Sequence, residues 1–333
     1  MPLALRLARL TGPRPAAVAI VRIWGDVRGA LAALGARDVP VGAWALRTFH
    51  DQHGAKLDAG VVVRLREDLA DLMPHGSPLA VSAIEETLRR AGATELDPGA
   101  RDEASLRALW PAARTLVQAR MLAALARAQS PRAVHLLLQQ PVRWAGTDEA
   151  RARSPRDRRL NRLIDPPMVV VVGPANVGKS TLLNALAGRA VALAADEPGT
   201  TRDHVGVLID LGGLVARVVD TPGLRETNDH VEQRAQRLAL GLIPAADLVL
   251  LVGDAQSPPP VVETGGEVLR VALRADLGTP TWAHDLAVRV GAPRTTDDGG
   301  LGALARLIRE RLVRPEDEAS PEPWKFWEDD PAA

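Results

Sequence analysis

A chain of 333 residues, 46% apolar and 25% charged with equal numbers of acidic and basic side chains, has the length for two or three domains and an ordinary globular composition. Zero net charge argues against a general nucleic-acid coat, and no apolar run reaches the ~20 residues of a membrane span, so with no signal-like layout in Met1–Leu10 a cytoplasmic location and no membrane partner are expected. The absence of cysteine excludes disulfides, thiolate metal sites and thiol nucleophiles.

Residues 1–100 read as a small α+β domain. Ala16–Trp24 alternates as a strand, and Asp26–Leu34 reads as a short helix stopped by Gly35. Ala43–His50 and Gly60–Leu65 read as two strands joined by the turn Asp51-Gln-His-Gly-Ala. Ser77 is placed to cap a helix Pro78–Arg90, with Gly92 beyond its end. Residues 101–165 form a second region. From Glu103 to about Gln140 it is helical in pattern, with breaks near Pro111 and Pro131. Six arginines then fall between Arg151 and Arg162, either as a polyanion contact or, the reading charge runs usually deserve, as a solvated linker.

Residues 166–314 carry the chemistry. Val169–Val172 reads as a buried parallel strand ending in Gly173-Pro-Ala-Asn-Val-Gly-Lys-Ser180, which fits G-x-x-x-x-G-K-[ST]. A helix follows from Thr181 to Ala187, with Gly188 as its stop. A strand, a glycine loop and a helix N-terminus together make a phosphate cradle, in which Gly173, Val177 and Gly178 lend backbone N–H groups. Lys179 then reaches the β- and γ-phosphates and Ser180 takes a place on Mg²⁺. With only three lysines against thirty-eight arginines in the chain, a lysine at this position is not a product of composition. Strands Val215–Asp220 and Leu248–Asp254 and an amphipathic helix Leu301–Leu312 complete an α/β fold, a doubly wound parallel sheet with helical connections. From Pro315 the chain is acidic and proline-rich and reads as a disordered tail, 315–333. Its Trp324, Phe326 and Trp327 suit either a docking motif or packing on the chain's own surface.

Three further motifs follow the loop in order. Gly199-Thr-Thr-Arg-Asp203 lies where a switch threonine, Thr200 or Thr201, completes the Mg²⁺ shell once a γ-phosphate is present. Asp220-Thr-Pro-Gly223 closes a buried strand, placing Asp220 to hold Mg²⁺ through water and the Gly223 N–H to sense the γ-phosphate. A base-reading motif stands as Leu273-Arg274-Ala275-Asp276: Asp276 can accept from the guanine donors and Arg274 can stack, whereas Leu273 makes no amide contact. Gly291-Ala292 are candidates for the loop that meets guanine O6. GTP and GDP are thus favoured over adenine nucleotides.

The phosphate loop, Gly199-Thr-Thr-Arg-Asp203 and Asp220-Thr-Pro-Gly-Leu-Arg-Glu226 with Val231-Glu232 resemble the G domain of the MnmE (TrmE) tRNA-modification GTPases; Era and Der share the first three elements. Ala17-Val-Ala-Ile-Val-Arg-Ile23, Asp51-Gln-His-Gly54 and His75-Gly-Ser-Pro78 resemble that family's folate-binding, dimer-forming N-terminal domain. The resemblance implies that Asn176 binds a K⁺ ion acting as an arginine finger does, and that Glu232 positions the attacking water. Leu224 stands where Ras-like proteins keep a catalytic glutamine. It further implies a folate in the N-terminal domain, a homodimer through that domain, GTP-dependent pairing of G domains, and a link to tRNA wobble-uridine modification. Two departures accompany it: the family's terminal Cys-x-Gly-Lys is absent, and only about sixty residues of helical region precede the G domain with fewer than twenty after it. The expectation is a shortened, divergent relative. It is either an active GTPase, with Lys179, Asn176 and Glu232 in catalytic roles, or a non-catalytic GTP-binding switch; an ATP-using enzyme is the remaining alternative.

Overall fold

A computed structural model of the chain describes residues 4–12, 15–97, 102–189, 206–221, 241–289 and 299–328. The expected positions Thr200, Thr201, Gly223, Leu224, Glu232, Gly291 and Ala292 lie outside them. The chain divides into two compact units, Met1–Arg127 with Leu137–Ala150 and Trp327–Ala333, and Ala128–Leu136 with Arg151–Phe326.

The first unit is built on a six-stranded sheet of order β4-β5-β6-β3-β1-β8. Its strands are β1 Arg6–Arg9, β3 Val21–Trp24, β4 Trp44–His50, β5 Lys56–Arg66, β6 Leu69–Met73 and β8 Thr94–Glu95, all antiparallel to their neighbours except β8 beside β1. The expected single strand Ala16–Trp24 is two. β2, Ala16–Val18, leaves the sheet to pair with β7, His75–Gly76, across a register shift. Only a glycine admits that pairing, because a Cβ on Gly76 would lie 2.3 Å from the Ala16 carbonyl oxygen.

Helices α1, Val27–Ala33, and α2, Pro78–Arg90, lay Val27, Ala30, Leu31, Val81, Ile84 and Leu88 on Leu7, Val21, Ile23, Phe49, Val62 and Leu72 of the strands. Asp26 caps α1 by accepting from the Gly29 N–H at 2.9 Å. The opposite face is covered near β1 and β3, where Leu109 of helix Glu103–Leu109 meets Ala8, Trp24 and Leu69. At the β4 edge, Trp44 and Leu46 remain 71% and 67% exposed.

The second unit carries a sheet of order β10-β11-β9-β12-β13-β14. Its strands are β9 Met168–Val172, β10 Val207–Asp210, β11 Val215–Asp220, β12 Leu248–Gly253, β13 Glu267–Leu273 and β14 Leu286–Val288. The last five in spatial order run parallel and β10 is antiparallel to β11, so the sheet is mixed where a purely parallel one was expected. Two turn glycines, Gly212 (φ 78°) and Gly213 (φ 96°), explain this: they make β10 and β11 a hairpin.

The connections differ from expectation too. Residues 254–266 and 274–285 each cross between parallel strands without a helix. At about a dozen residues, both are near the shortest span such a crossover allows. Val262 of the first crossover, with Leu242, packs on the cluster of Val170, Val172, Val219, Val249 and Leu251 where a helix face would ordinarily lie.

The segment after Pro315 is not a disordered tail over its described residues. Pro315–Ala319 is helical, and Trp324, Lys325 and Phe326 are buried. The arginine run is not a solvated linker, because the tail is its partner. Arg159 pairs bidentately with Asp317 at 2.6 and 2.8 Å, and Arg156 donates to the Asp317 carbonyl at 3.0 Å. The Trp324 indole donates to Asn161 Oδ1 at 2.8 Å. At the centre is Asp157, fully buried, accepting from Arg151 at 2.6 and 3.1 Å and from the N–H groups of Ser154 and Lys325 at 2.8 and 2.9 Å.

Burial alone would raise the Asp157 carboxyl; the Arg151 bonds and those two N–H groups outweigh it and hold the group below the ordinary carboxylate range. A carboxyl lowered by folding contributes stability in full above its unfolded pKa and loses it as pH falls through its folded one. Asp157→Asn should therefore cost about 3–5 kcal/mol at neutral pH, since it leaves Arg151 uncompensated. The difference from wild type should shrink on acidification below the carboxylate range, as read by urea unfolding at a series of pH values.

Candidate functional site

The site forms at the C-terminal end of β9. That strand lies centrally, with β11 on one side and β12 on the other, and the chain leaves it through a glycine loop into helix α3, Lys179–Arg189. Gly188 sits inside α3 and does not stop it. The position is a topological switch point of an open sheet, where strand ends diverge and leave a crevice.

Three loop residues set the backbone. A Cβ on Gly173 would lie 2.4 Å from the Val252 carbonyl oxygen, so only glycine lets β9 and β12 approach as the loop begins. Asn176 (φ 62°) and Gly178 (φ 105°) take left-handed conformations that turn the loop. Val177, 1% exposed, anchors it in the core. Asn176 and Thr181 are exposed.

Lys179 is 7% exposed and curls beneath the loop, its Nζ donating to the carbonyl oxygens of Gly173 and Pro174 at 3.0 and 2.7 Å. Burial pushes this ammonium below the usual lysine range, and the nearby Asp220 carboxylate opposes the shift. Ser180 Oγ donates to Asp220 Oδ2 at 2.5 Å, across forty residues of sequence. Asp220 ends β11 in register with Val171 of β9, and Thr221 fixes that end by donating to the Val171 carbonyl at 2.7 Å.

The second oxygen of Asp220, Oδ1, is buried without a hydrogen-bond partner. A hydroxyl beside a carboxylate with an orphaned buried oxygen fits a divalent cation held by Ser180 directly and by Asp220 through water. Among the described residues no cluster of three or more His, Cys, Asp or Glu forms a metal cage.

The structure joins residues 273–276, expected to read the base, to this loop. Arg274, also left-handed (φ 54°), donates through Nη2 to the Asn176 carbonyl at 2.5 Å and reaches Asp254 Oδ2 through Nη1 at 3.5 Å. Leu273 is buried, close enough that a Cβ on Gly178 would lie 3.8 Å from its Cδ1. Asp276 stands exposed in the next turn, which Leu277 closes by donating to the Arg274 carbonyl at 2.8 Å. Sequence reasoning missed Asp254, Thr221 and Trp282, whose indole donates to the Asp254 carbonyl at 2.9 Å. Asp254 had a signal: it is the first charged residue after the apolar run of β12, at the same strand edge as the loop.

A central strand, a buried loop lysine and a Ser–Asp pair at the switch point define a P-loop GTPase, and the family of 50S ribosome-binding GTPases matches residues 168–275. The tRNA modification GTPase MnmE of Acidiphilium cryptum is 31% identical over 362 residues, covering 93% of this chain and 78% of its own. The chain belongs to the MnmE family and is a GTP hydrolase. The MnmE of Rhizobium meliloti is likewise 31% identical, over 91% of this chain and 80% of its own. Among solved structures, Era from Aquifex aeolicus aligns over 44% of this chain and 56% of its own at 23% identity, with a TM-score of 0.33. No helix among the described residues is long and apolar enough to cross a membrane.

Lys179→Ala removes both the cradle's cation and the bonds that tie it to Gly173 and Pro174. GTP affinity should fall at least a hundredfold, the scale of one or two lost charge-assisted bonds. The check is calorimetric titration, with a retained cooperative unfolding transition as the control for folding.

Proposed function

We propose that the chain hydrolyses GTP to GDP and phosphate with Mg²⁺ and assistance from K⁺, and that this turnover serves tRNA wobble-uridine modification. The observation that carries the reading is the coupled arrangement of buried Lys179, Ser180 and the orphaned Asp220 oxygen at one strand end. When bound, Mg²⁺ and a K⁺ at Asn176 supply positive charge to the β- and γ-phosphate oxygens.

The chain's own groups have the remaining tasks. Lys179 leaves its two loop carbonyls for the phosphate oxygens, an exchange of weak acceptors for charged ones. Ser180 and Asp220, with Thr200 or Thr201 of the switch, hold the magnesium ion. Gly223 senses the γ-phosphate through its N–H. Glu232 holds the attacking water in line, taking the task a glutamine performs where this chain has Leu224. Asp276 accepts from guanine, with Gly291-Ala292 at its O6. The relatives named above are tRNA modification GTPases, which supports tRNA as the macromolecular substrate. The first unit is assigned the family's folate and pairing roles, and G domains pair when GTP is bound.

On this reading hydrolysis is faster in potassium than in sodium, and Asn176→Ala erases that difference. Glu232→Ala slows turnover at least tenfold, about 1.4 kcal/mol of barrier, and leaves GTP binding nearly unchanged. Phosphate release at high protein concentration in each salt is the measurement. Absence of multiple turnover in potassium would favour the non-catalytic switch.

Pairing of the first unit rests on the uncovered Trp44 and Leu46 of β4. Trp44→Glu should convert dimer to monomer in sedimentation equilibrium while the protein stays folded. A dimer that persists with that charge in place would move the interface elsewhere.

A further inference from the structure

Helix α2 of the first unit lays Val81, Ile84 and Leu88 on the sheet, and Glu85 falls on that same buried face. It is 5% exposed. A carboxylate placed there gives up its hydration and has to recover it from donors. Glu85 recovers little. Its Oε1 is buried without a hydrogen-bond partner, and its Oε2 lies 3.6 Å from Arg89 Nη2, too far for a hydrogen bond.

The neighbouring charges explain why. Arg89, one turn further along α2, is engaged elsewhere: Nε and Nη2 donate to Glu95 Oε2 of β8 at 3.1 and 2.9 Å, and Nη1 reaches Glu86 at 3.5 Å. Arg90 donates to Glu86 at 2.9 Å. From the sheet, Arg9 of β1 attracts the Glu85 carboxylate and Glu95 of β8 repels it. The other elements packed on α2 pair their charges away from it. Asp58 of β5 meets His75 of β7 at 2.9 Å, Arg64 and Arg66 of β5 meet Asp38 and Asp68 at 2.9 and 3.1 Å, and Arg28 of α1 meets Asp38 at 3.1 Å. Burial outweighs the two arginines that act on Glu85 and lifts its carboxyl above the ordinary range.

We propose that Glu85 is a proton-operated latch on the first unit: protonated, it lets α2 close on the β1–β8 edge of the sheet, and ionised, it sets a second buried charge against Glu95 and loosens that edge. A carboxyl raised by folding contributes its stability in full below its unfolded pKa and loses it as pH rises through its folded one. The latch therefore works in the opposite sense to Asp157, whose contribution is lost on acidification. It lies wholly within the first unit and needs no nucleotide.

The experiment is amide hydrogen exchange of the full chain, read by mass spectrometry at about pH 5 and about pH 8, for wild type and for Glu85→Gln, which stays neutral at the same size. Comparing the two proteins at one pH cancels the intrinsic pH dependence of exchange. Near pH 5 they should exchange alike in α2 and β8. Near pH 8 wild type should exchange there faster by about threefold or more, with peptides of the second unit unchanged. Equal exchange at both pH values overturns the latch. A difference of the same size at both overturns it too, and makes Glu85 a packing residue. If the glutamine variant does not fold, wild type decides: protection of α2 and β8, corrected for intrinsic exchange, should fall between the two pH values, and constant protection overturns the proposal.

Discussion

A buried ammonium is the constraint on which the second unit depends. Lys179 is taken almost wholly out of water, at a cost of several kcal/mol for an ion of this kind unless polar partners replace the solvent. Those partners are two carbonyls of its own loop, and they converge only because the loop is wound tightly around the side chain. The winding in turn demands a glycine at 173, where no Cβ fits against β12, and left-handed backbone at 176 and 178. Strand order, loop composition and the lysine's depressed basicity are one arrangement. It holds an ammonium at the C-terminal end of β9 on two neutral carbonyls.

Around that centre the second unit is pared down. Parallel strands oblige the chain to return from one end of the sheet to the other, and helices usually make the return because they satisfy their own backbone groups while burying an apolar stripe. Here two returns are made in about a dozen residues without a helix, one of them through Pro258-Pro259-Pro260. Proline fixes φ in the unfolded chain as well, so ordering such a segment forfeits less entropy than its length suggests. Val262 supplies the apolar contact that a helix face would have supplied. Elsewhere the unit is reinforced by charge. Asp157, Asp317 and Asp247 meet Arg151, Arg159 and Arg162, and the C-terminal residues to Phe326 are tied to that arginine run.

What the sequence revealed, and what it hid, follows from the range of the interactions. The strand Val215–Asp220 and the helices Pro78–Arg90 and Leu301–Leu312 were legible to the residue, because a period of two or of 3.6 and a terminal breaker are local signals. The lysine, serine and aspartate were legible as a group because the motifs that pick them out stand at strand ends that the sheet brings together, with Ser180 on Asp220 and Lys179 beneath the loop. The strand Ala16–Trp24 was misread, since its alternation runs unbroken while its partner changes from one ribbon to another. The missing crossover helices were misread because a short loop and a short helix carry similar apolar content. The arginine run and the acidic tail were each read as solvated for the same reason: apart they look like surface, and their complementarity is non-local. Charge runs announce their partners only when opposite runs are compared across the whole chain.

The link between the end of β13 and the glycine loop follows the same logic at atomic scale. The two non-glycine residues with positive φ among the described ones, Asn176 and Arg274, are bonded to each other. Asparagine tolerates the left-handed region; arginine has no local compensation there, and the conformation costs about 1–3 kcal/mol. Such a cost persists only where the surroundings over-determine it. The Asn176 carbonyl on one nitrogen and the Asp254 carboxylate near the other supply that determination, and a lysine, with one point charge in place of a planar fork, would reach the two acceptors less well. The strain therefore lies at the joint between the end of β13 and the glycine loop that follows β9. A ligand that pulls on either one acts on both.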